Sequence, residues 1–313
     1  MISSCLKFDN GFVINPDKYY SPSFRISPFQ TSDLSENFTK IKIDNDLSYF
    51  DSRFLNKKWN FTESGKVAID LALSTIGLSK NDCVTILTTS GNKYISSCVT
   101  NQISQYCKYS RNFEKNTKAI FVNHEFGYPY DEMLKLKRFN LPIIEDACHS
   151  FLSDAPEKLI GSIGDFVIFS LPKIYPIQFG GVLFYSSSIN IDFDIKKDSN
   201  VYNYLASVSS SYIPDHNFIA SKRLDNYFKL EELFSRIQCF PRFKLLKNNI
   251  PGVFIFTVPN HVNLDELKIY GWKHGIECSV FYGEQAFFIP IHHRLSDHDL
   301  DYFFKVFDSF ISH

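Results

Sequence analysis

Between residues 83 and 185 the chain repeats a pattern that few folds accommodate. Short runs that are apolar almost throughout alternate with stretches of helical spacing. Cys83 to Leu87, Ala119 to Val122, Pro142 to Glu145, Phe166 to Phe169 and Val182 to Tyr185 read as strands. Tyr94 to Ile103 and Tyr130 to Phe139 read as helices between them. A strand that is apolar at every position is buried on both faces, as in a mostly parallel sheet covered by helices. Ahead of the first strand, Ser64-Gly65-Lys66 opens a further helix. Val67/Ala68, Leu71/Ala72 and Thr75/Ile76 recur at three-to-four spacing, and Gly77 is its stop. Residues 59–190 are therefore expected to form an α/β sandwich.

The flanks read differently. Residues 1–58 are mixed and polar, with Pro16, Pro22 and Pro28, and are expected to be an arm with little regular structure. Residues 190–215 are rich in Ser and Asn and read as a linker. Lys222 to Ile237 has the pattern of a long amphipathic helix. Strands at Val253 to Thr257, Cys278 to Tyr282 and Phe287 to Ile291, with a helix from Leu264 to Lys273, describe a small α+β domain. Ser296 opens a last helix, with Asp299 as its capping-box partner. The expected division is an arm at 1–58, a large domain at 59–212 and a small C-terminal domain at 213–313.

Apolar residues make up 44% of the chain, enough for a sizeable core. A formal net charge of −1 gives no bulk attraction to nucleic acid or to an anionic membrane, so an anionic ligand must be held by local groups. No apolar run approaches the ~18 residues of a membrane span. The N-terminal residues carry no long apolar run, so no signal peptide is expected. Seven cysteines without C-x-x-C spacing argue against a disulfide framework or a zinc site and fit a reducing cytoplasm. The tail His292-His293-Arg294 to His298 fits no standard metal spacing, and no metal is expected.

Two residues carry the chemistry. Lys173 lies just past the run Phe166 to Phe169, and Asp146 ends the run Pro142 to Glu145, 27 residues upstream. Open parallel sheets bind ligands beyond the carboxyl ends of their strands. An amine and a carboxylate there meet the needs of pyridoxal 5′-phosphate: lysine for the aldehyde, aspartate for the pyridinium nitrogen. Each also has a plain reading. Lysines after strands are commonly surface residues, and Asp146 could be a loop carboxylate or a helix cap. Ser64 with Gly65 and Lys66 is either a phosphate-binding helix start or simply an N-cap. Ser170 could meet a phosphate or close a strand, and Gly180-Gly181 could be an ordinary turn. Glu145 should face away from Asp146. On the residues alone these alternatives stay open.

In order, the segments resemble the DegT/DnrJ/StrS family of sugar aminotransferases. The resemblance runs through Glu63-Ser64-Gly65-Lys66-Val67-Ala68, Val122-Asn123-His124-Glu125-Phe126-Gly127-Tyr128-Pro129-Tyr130-Asp131 and Pro142-Ile143-Ile144-Glu145-Asp146-Ala147-Cys148-His149. It continues in Gly161-Ser162-Ile163-Gly164-Asp165, Phe169-Ser170, Lys173 and Gly180-Gly181, and late in the chain in His274-Gly275-Ile276 and Ile289-Pro290-Ile291-His292. It implies the fold type I of pyridoxal-phosphate enzymes, usually a homodimer. It implies transfer of an amino group from glutamate to a keto carbon of a nucleotide-linked deoxysugar, commonly for surface polysaccharide. Lys173 would then be the Schiff-base lysine and proton shuttle, and Asp146 the partner of the ring nitrogen. His149 would lie near the 3′-oxygen. Ser64, Gly65, Lys66 and Ser170 would hold the phosphate, and Tyr94 would cover the ring. The chain departs from the family in the short Ser170–Lys173 spacing, in Gln178-Phe179 before the glycine pair, and in a compact middle where Tyr202-Asn203-Tyr204-Leu205 only echoes the family's N-Y-R element. These departures motivate a second reading, a non-catalytic relative that kept the fold. A sugar dehydratase on the same scaffold is the third; its family members are expected to carry histidine in place of the lysine.

Overall fold

The computed structural model of the chain describes residues 22–153 and 160–312. Helices α1 (Asp33–Thr39) and α2 (Ser48–Arg53) precede strand β1 (Lys57–Thr62). Then follow α3 (Gly65–Ile76), β2 (Cys83–Thr88), α4 (Ser97–Tyr106), β3 (Lys108–Ser110), β4 (Thr117–Asn123), α5 (Met133–Leu136), β5 (Ile143–Asp146), β6 (Phe166–Ser170) and β7 (Gly181–Ser186). These strands form one sheet in the order β1-β7-β6-β5-β4-β2-β3. The pairs from β6 through β3 are parallel, while β7 runs antiparallel to both β6 and β1. The expected mostly parallel sheet is thus observed.

Strand β6 shows why it is apolar throughout. Phe166 and Ile168 enter the core beneath α3 and α4, and Val167 and Phe169 enter the opposite core with Phe50, Phe61 and Leu205. Alternate residues of one strand fill two cores, so no position can be polar. The same alternation sends Ile144 of β5 to the α3 face. Asp146, two residues on, shares that face, and Glu145 takes the other.

Three expectations change. The arm is not structureless: its described part carries α1 and α2, while residues 1–21 lie outside the described residues. The Ser/Asn-rich stretch is not a linker but contains helix α6 (Asn200–Tyr212). Its polarity has a use. Ser207 Oγ accepts the Lys42 N–H and Ser210 Oγ the Asp46 N–H, both at 3.1 Å, so buried serines satisfy the backbone of the arm. Tyr94 precedes its helix instead of opening it, because Ser96 is the cap: its hydroxyl accepts the Cys98 N–H at 3.3 Å.

Helix α7 (His216–Ser235) then leads into a three-stranded antiparallel sheet of β8 (Val253–Thr257), β9 (Ser279–Val280) and β10 (Ala286–Pro290), in the order β8-β10-β9. Helices α8 (Leu264–Lys273) and α9 (Asp297–Ile311) pack on it. Ser296 and Asp299 form the expected capping box. Ile219 of α7 belongs to the core of the large sheet, whereas Tyr227, Leu230, Leu233 and Phe234 belong to that of the small sheet. No helix among the described residues is long and apolar enough to cross a membrane.

Candidate active site

Strands β2, β4, β5, β6 and β1 all point their carboxyl ends toward one edge of the large sheet. Asp146 is the last residue of β5 and 6% exposed. Its two oxygens are fixed separately. Oδ2 accepts from Asn123 Nδ2 at 2.8 Å, across the β4–β5 register, and Oδ1 accepts the Cys148 N–H at 3.1 Å. Lys173 closes the short helical turn Leu171–Lys173 that follows β6 and is half-buried.

The Cys148 thiol links the two. Burial pushes its pKa well up, the Asp146 carboxylate adds to that, and the Lys173 ammonium opposes it. Amine and carboxylate therefore act on one sulfur. Lys173 acts on His149 as well: burial first, then the charges of Lys173 and Arg223, hold the imidazole well below its ordinary pKa. The ring is neutral near pH 7, and its Nδ1 is buried without a hydrogen-bond partner among the described residues. It packs against Phe126, with centroids 5.3 Å apart.

The start of α3 backs onto the same place. A Cβ on Gly65 would lie 3.0 Å from Cys148 Sγ and 3.7 Å from Ser170 Cβ. Ser64 is an N-cap, as its plain reading held, and its Oγ accepts the Val67 N–H at 3.3 Å. That leaves the N–H groups of Gly65 and Lys66 without an acceptor among the described residues, at the positive end of a twelve-residue helix. The Lys66 side chain is exposed. The glycine pair serves this corner. Gly180 has φ of +117°, and Gly181 stands in register between Ser170 of β6 and Thr62 of β1. A Cβ on Gly181 would sit 2.8 Å from Ser64 C and 2.9 Å from Gly65 N, so only glycine lets β7 pass under the helix start.

Tyr94 joins the site's edge through other rings. Its ring meets Phe281 and Tyr282 of the small domain at 5.7 and 5.9 Å, and the aromatic nearest His149 along that cluster is Phe126. Sequence reasoning gave no role to Asn123, Phe126 or Arg223. The first two stand in the quoted Val122–Asp131 run, where their position at the end of β4 was the available signal.

Glu145 explains the Gly161–Asp165 segment. Fully buried, it accepts the N–H groups of Gly161 at 2.7 Å, Ile163 at 3.2 Å, and Gly164. His124 Nδ1 accepts the Tyr130 N–H at 3.0 Å, so the ring proton sits on Nε2, which donates to Glu145 at 2.9 Å. The adjacent carboxylates divide the work: one anchors a loop, the other faces the site.

The residues present fit pyridoxal phosphate: a fixed carboxylate, an amine acting on the same sulfur, an orphaned imidazole nitrogen and a helix start with free N–H groups. A cavity of about 780 Å³ lined by Tyr49, Arg53, Lys57, Phe151, Gly161 and His216 contains none of them, so the site is defined by its chemistry, not by volume.

A mostly parallel sheet with such groups gathered at the carboxyl ends of its strands defines the α/β class that binds ligands at this edge. The family model described as "Putative PLP-dependent aminotransferase" matches residues 48–245, more than half of the chain. The chain belongs to this family of PLP-dependent aminotransferases. No curated protein matches the sequence. Among solved structures, it is similar to the putative sugar aminotransferase Spr1654 from Streptococcus pneumoniae in its apo form, with 16% identity, 94% of this chain and 97% of that chain covered, and a TM-score of 0.71. It is similar to a DegT DnrJ EryC1 StrS aminotransferase from Brucella abortus, with 15% identity, 91% and 92% coverage, and a TM-score of 0.64. NtdA from Bacillus subtilis with bound cofactor PMP gives 16%, 96% and 89%, and 0.67. At these identities the likeness establishes the shared fold.

Proposed function

We propose that this aminotransferase moves an amino group from glutamate to a keto carbon of a nucleotide-linked deoxysugar, in the cytoplasm and for surface polysaccharide. The observation that carries the site is the meeting of three strand ends at Cys148: Asp146 Oδ1 accepts its N–H at 3.1 Å, and a Cβ on Gly65 at the start of α3 would stand 3.0 Å from its Sγ and 3.7 Å from Ser170 Cβ, three residues before Lys173. The sugar substrate is supported by similarity to the putative sugar aminotransferase Spr1654 and by the sequence resemblance.

When bound, pyridoxal phosphate supplies an aldehyde for an amine and a ring that accepts the electrons of a broken C–H bond. Lys173 Nζ would hold the cofactor by its aldehyde and, when its amine is free, would carry a proton to or from the donor's α-carbon. A lysine suits this task because it readily gives up its proton when partly desolvated. Asp146 would face the pyridine nitrogen, its carboxylate oriented by Asn123 Nδ2 and the Cys148 N–H. His149, neutral, offers Nδ1 to the ring 3′-oxygen. The N–H groups of Gly65 and Lys66, with the hydroxyls of Ser64 and Ser170, receive the phosphate at the start of α3. In the first half one water supplies the keto oxygen of 2-oxoglutarate, and in the second the ketosugar oxygen leaves as water, so the net exchange is one amino group for one keto oxygen.

A second copy of the chain belongs to the proposal. Phe38 and Ile41, 63% and 40% exposed, border a groove with Phe179, Val201 and Tyr204, beside the glycine pair.

Purified protein should show the visible absorbance of a lysine-bound cofactor, and Lys173→Ala should abolish it. L-Glutamate should bleach that band and release 2-oxoglutarate. An unchanged band in the variant would reject the lysine. A wild-type band indifferent to glutamate would favour the non-catalytic relative.

A further inference from the structure

Helix α7 buries a stripe at helical spacing: Ile219, Arg223, Asn226, Tyr227, Leu230, Leu233 and Phe234. Two members break the rule for such a stripe. Arg223 is 2% exposed, and the ion pairs of the described residues give it no carboxylate. A buried charge without a counter-charge is costly, and an apolar residue would fill the position better. Burial alone drives the guanidinium down to about 10.

What the guanidinium touches accounts for it. Its Nη2 donates to the main-chain carbonyl of Lys173 at 2.6 Å, and its Nη1 reaches the carbonyl of Pro251 at 3.5 Å. These two segments are far apart in sequence. The Pro251 segment is itself tied to the site. The Gly252 N–H donates to the Phe126 carbonyl at 2.6 Å, and a Cβ on Gly252 would lie 2.7 Å from His149 Nδ1. Ile250 N–H donates to Ser153 Oγ at 2.9 Å. One turn along α7, Asn226 Nδ2 donates to the carbonyls of Ile291 and His292 at 3.3 and 3.0 Å. One helix face therefore grips the lysine turn, the entry to β8 and the exit from β10.

We propose that Arg223 is a positioning residue of the transamination site: its two-pronged donor fixes the main chain of the Lys173 turn against the Ile250–Gly252 segment that backs His149, so that amine and imidazole keep one relative placement. The proposal rests on Lys173 being the cofactor lysine. A planar fork reaches two carbonyls on separate segments at once, which an ammonium on one flexible stem does not. Loss of it frees the turn, and misplacement of a reacting group by about 1 Å costs on the order of 100-fold in rate.

The test uses Arg223→Met and Arg223→Lys as full-length holoenzyme, with Lys173→Ala alongside. The measurements are the single-turnover rate with saturating L-glutamate, the glutamate concentration at half-saturation, the visible circular dichroism of bound cofactor at equal occupancy, and thermal melting. Deuterium exchange of residues 171–175 is followed in cofactor-free protein. Arg223→Met should lose about 10- to 100-fold in single-turnover rate with half-saturation nearly unchanged. Its cofactor dichroism should weaken, and exchange in 171–175 should rise about tenfold while that of α9 stays constant. Arg223→Lys should fall between it and wild type. A lower melting temperature with wild-type rate, dichroism and exchange would make Arg223 a mere strut and overturn the proposal. Should the Met variant not fold, Arg223→Lys decides: wild-type values in it overturn the proposal, and a slower rate with faster exchange supports it. A cofactor band that survives Lys173→Ala defeats the cofactor-lysine reading itself, whatever the Arg223 variants show.

Discussion

Glu145 and Asp146 are neighbours of like chemistry on opposite faces of one strand, so the same conservative change at each should have opposite consequences. Glu145→Gln keeps one acceptor oxygen and turns the other into an amide donor. Oε1 now accepts from Ile163 and Gly164, and Oε2 from Gly161 and His124. Whichever oxygen is lost, two buried donors face a third. Bonds to a charged acceptor are worth ~1.5–3 kcal/mol each, and a buried donor left unsatisfied costs ~1–3 kcal/mol. A loss of about 3 kcal/mol in unfolding free energy is expected, with Glu145→Ala near 4. Asp146→Asn meets two N–H donors, Asn123 Nδ2 and the Cys148 N–H, and the weak donor of the Cys148 thiol. Rotation of the Asn123 amide offers the new donor an oxygen, so the folded state should lose less than ~1 kcal/mol. The half-reaction with glutamate should instead slow by about 100-fold or more, ~2.7 kcal/mol of barrier. Urea unfolding of cofactor-free protein, followed by far-UV dichroism, gives the first quantity, and single-turnover kinetics of holoenzyme the second. If Asp146→Asn is as destabilising as Glu145→Gln, or if Glu145→Gln slows the half-reaction while leaving stability intact, the assignment of the two faces is wrong.

Gly181→Ala should push the start of α3 off β7, because the new methyl would meet Ser64 C and Gly65 N at 2.8 and 2.9 Å; overpacking of this kind costs ~1–3 kcal/mol. Cofactor retention on a desalting column should drop with it, and an unaltered retention would separate the helix start from phosphate binding. His292 is held down to about 3, by burial first and then by Arg223, His293 and Arg294. An unfolded histidine titrates near 6.5, so the unfolded state takes the proton first. This contribution to stability is complete above about pH 6.5 and is lost as pH falls toward 3, at ~1.4 kcal/mol per pH unit. His292→Asn should flatten the stability slope between pH 4 and 6 by about that amount, as read from urea midpoints; a steeper slope would contradict the sign.

The sheet was legible because doubly buried strands leave no room for polar residues, as in Phe166 to Phe169. The Ser64 and Ser296 caps were legible because local hydrogen bonds write themselves into local sequence. What was hidden depends on partners far away. Strand β1 carries Lys57, Lys58 and Asn60 and gains its order from β7. Helix α6 looks like a linker because its buried serines serve the backbone of the arm. At the site, Asp146 and Lys173 stood out at strand ends, whereas Arg223 was concealed inside an ordinary amphipathic helix. Its position on the apolar stripe could have marked it. The helix after β2 starts later than its apolar spacing suggests because helix starts follow caps, and Ser96, not Tyr94, sets this one.

The sheet order also governs when the cofactor corner can exist during synthesis. Strand β1 touches only β7 in the sheet, and β7 spans Gly181–Ser186. A nascent chain emerging from the ribosome therefore holds residues 57–62 with no neighbour to join until well over a hundred later residues have been translated and paired. Only then is the first turn of α3 seated against Ser170. Translation halted before residue 181 would yield strands and helices in number, but leave the first turn of α3 without the strand that underlies it.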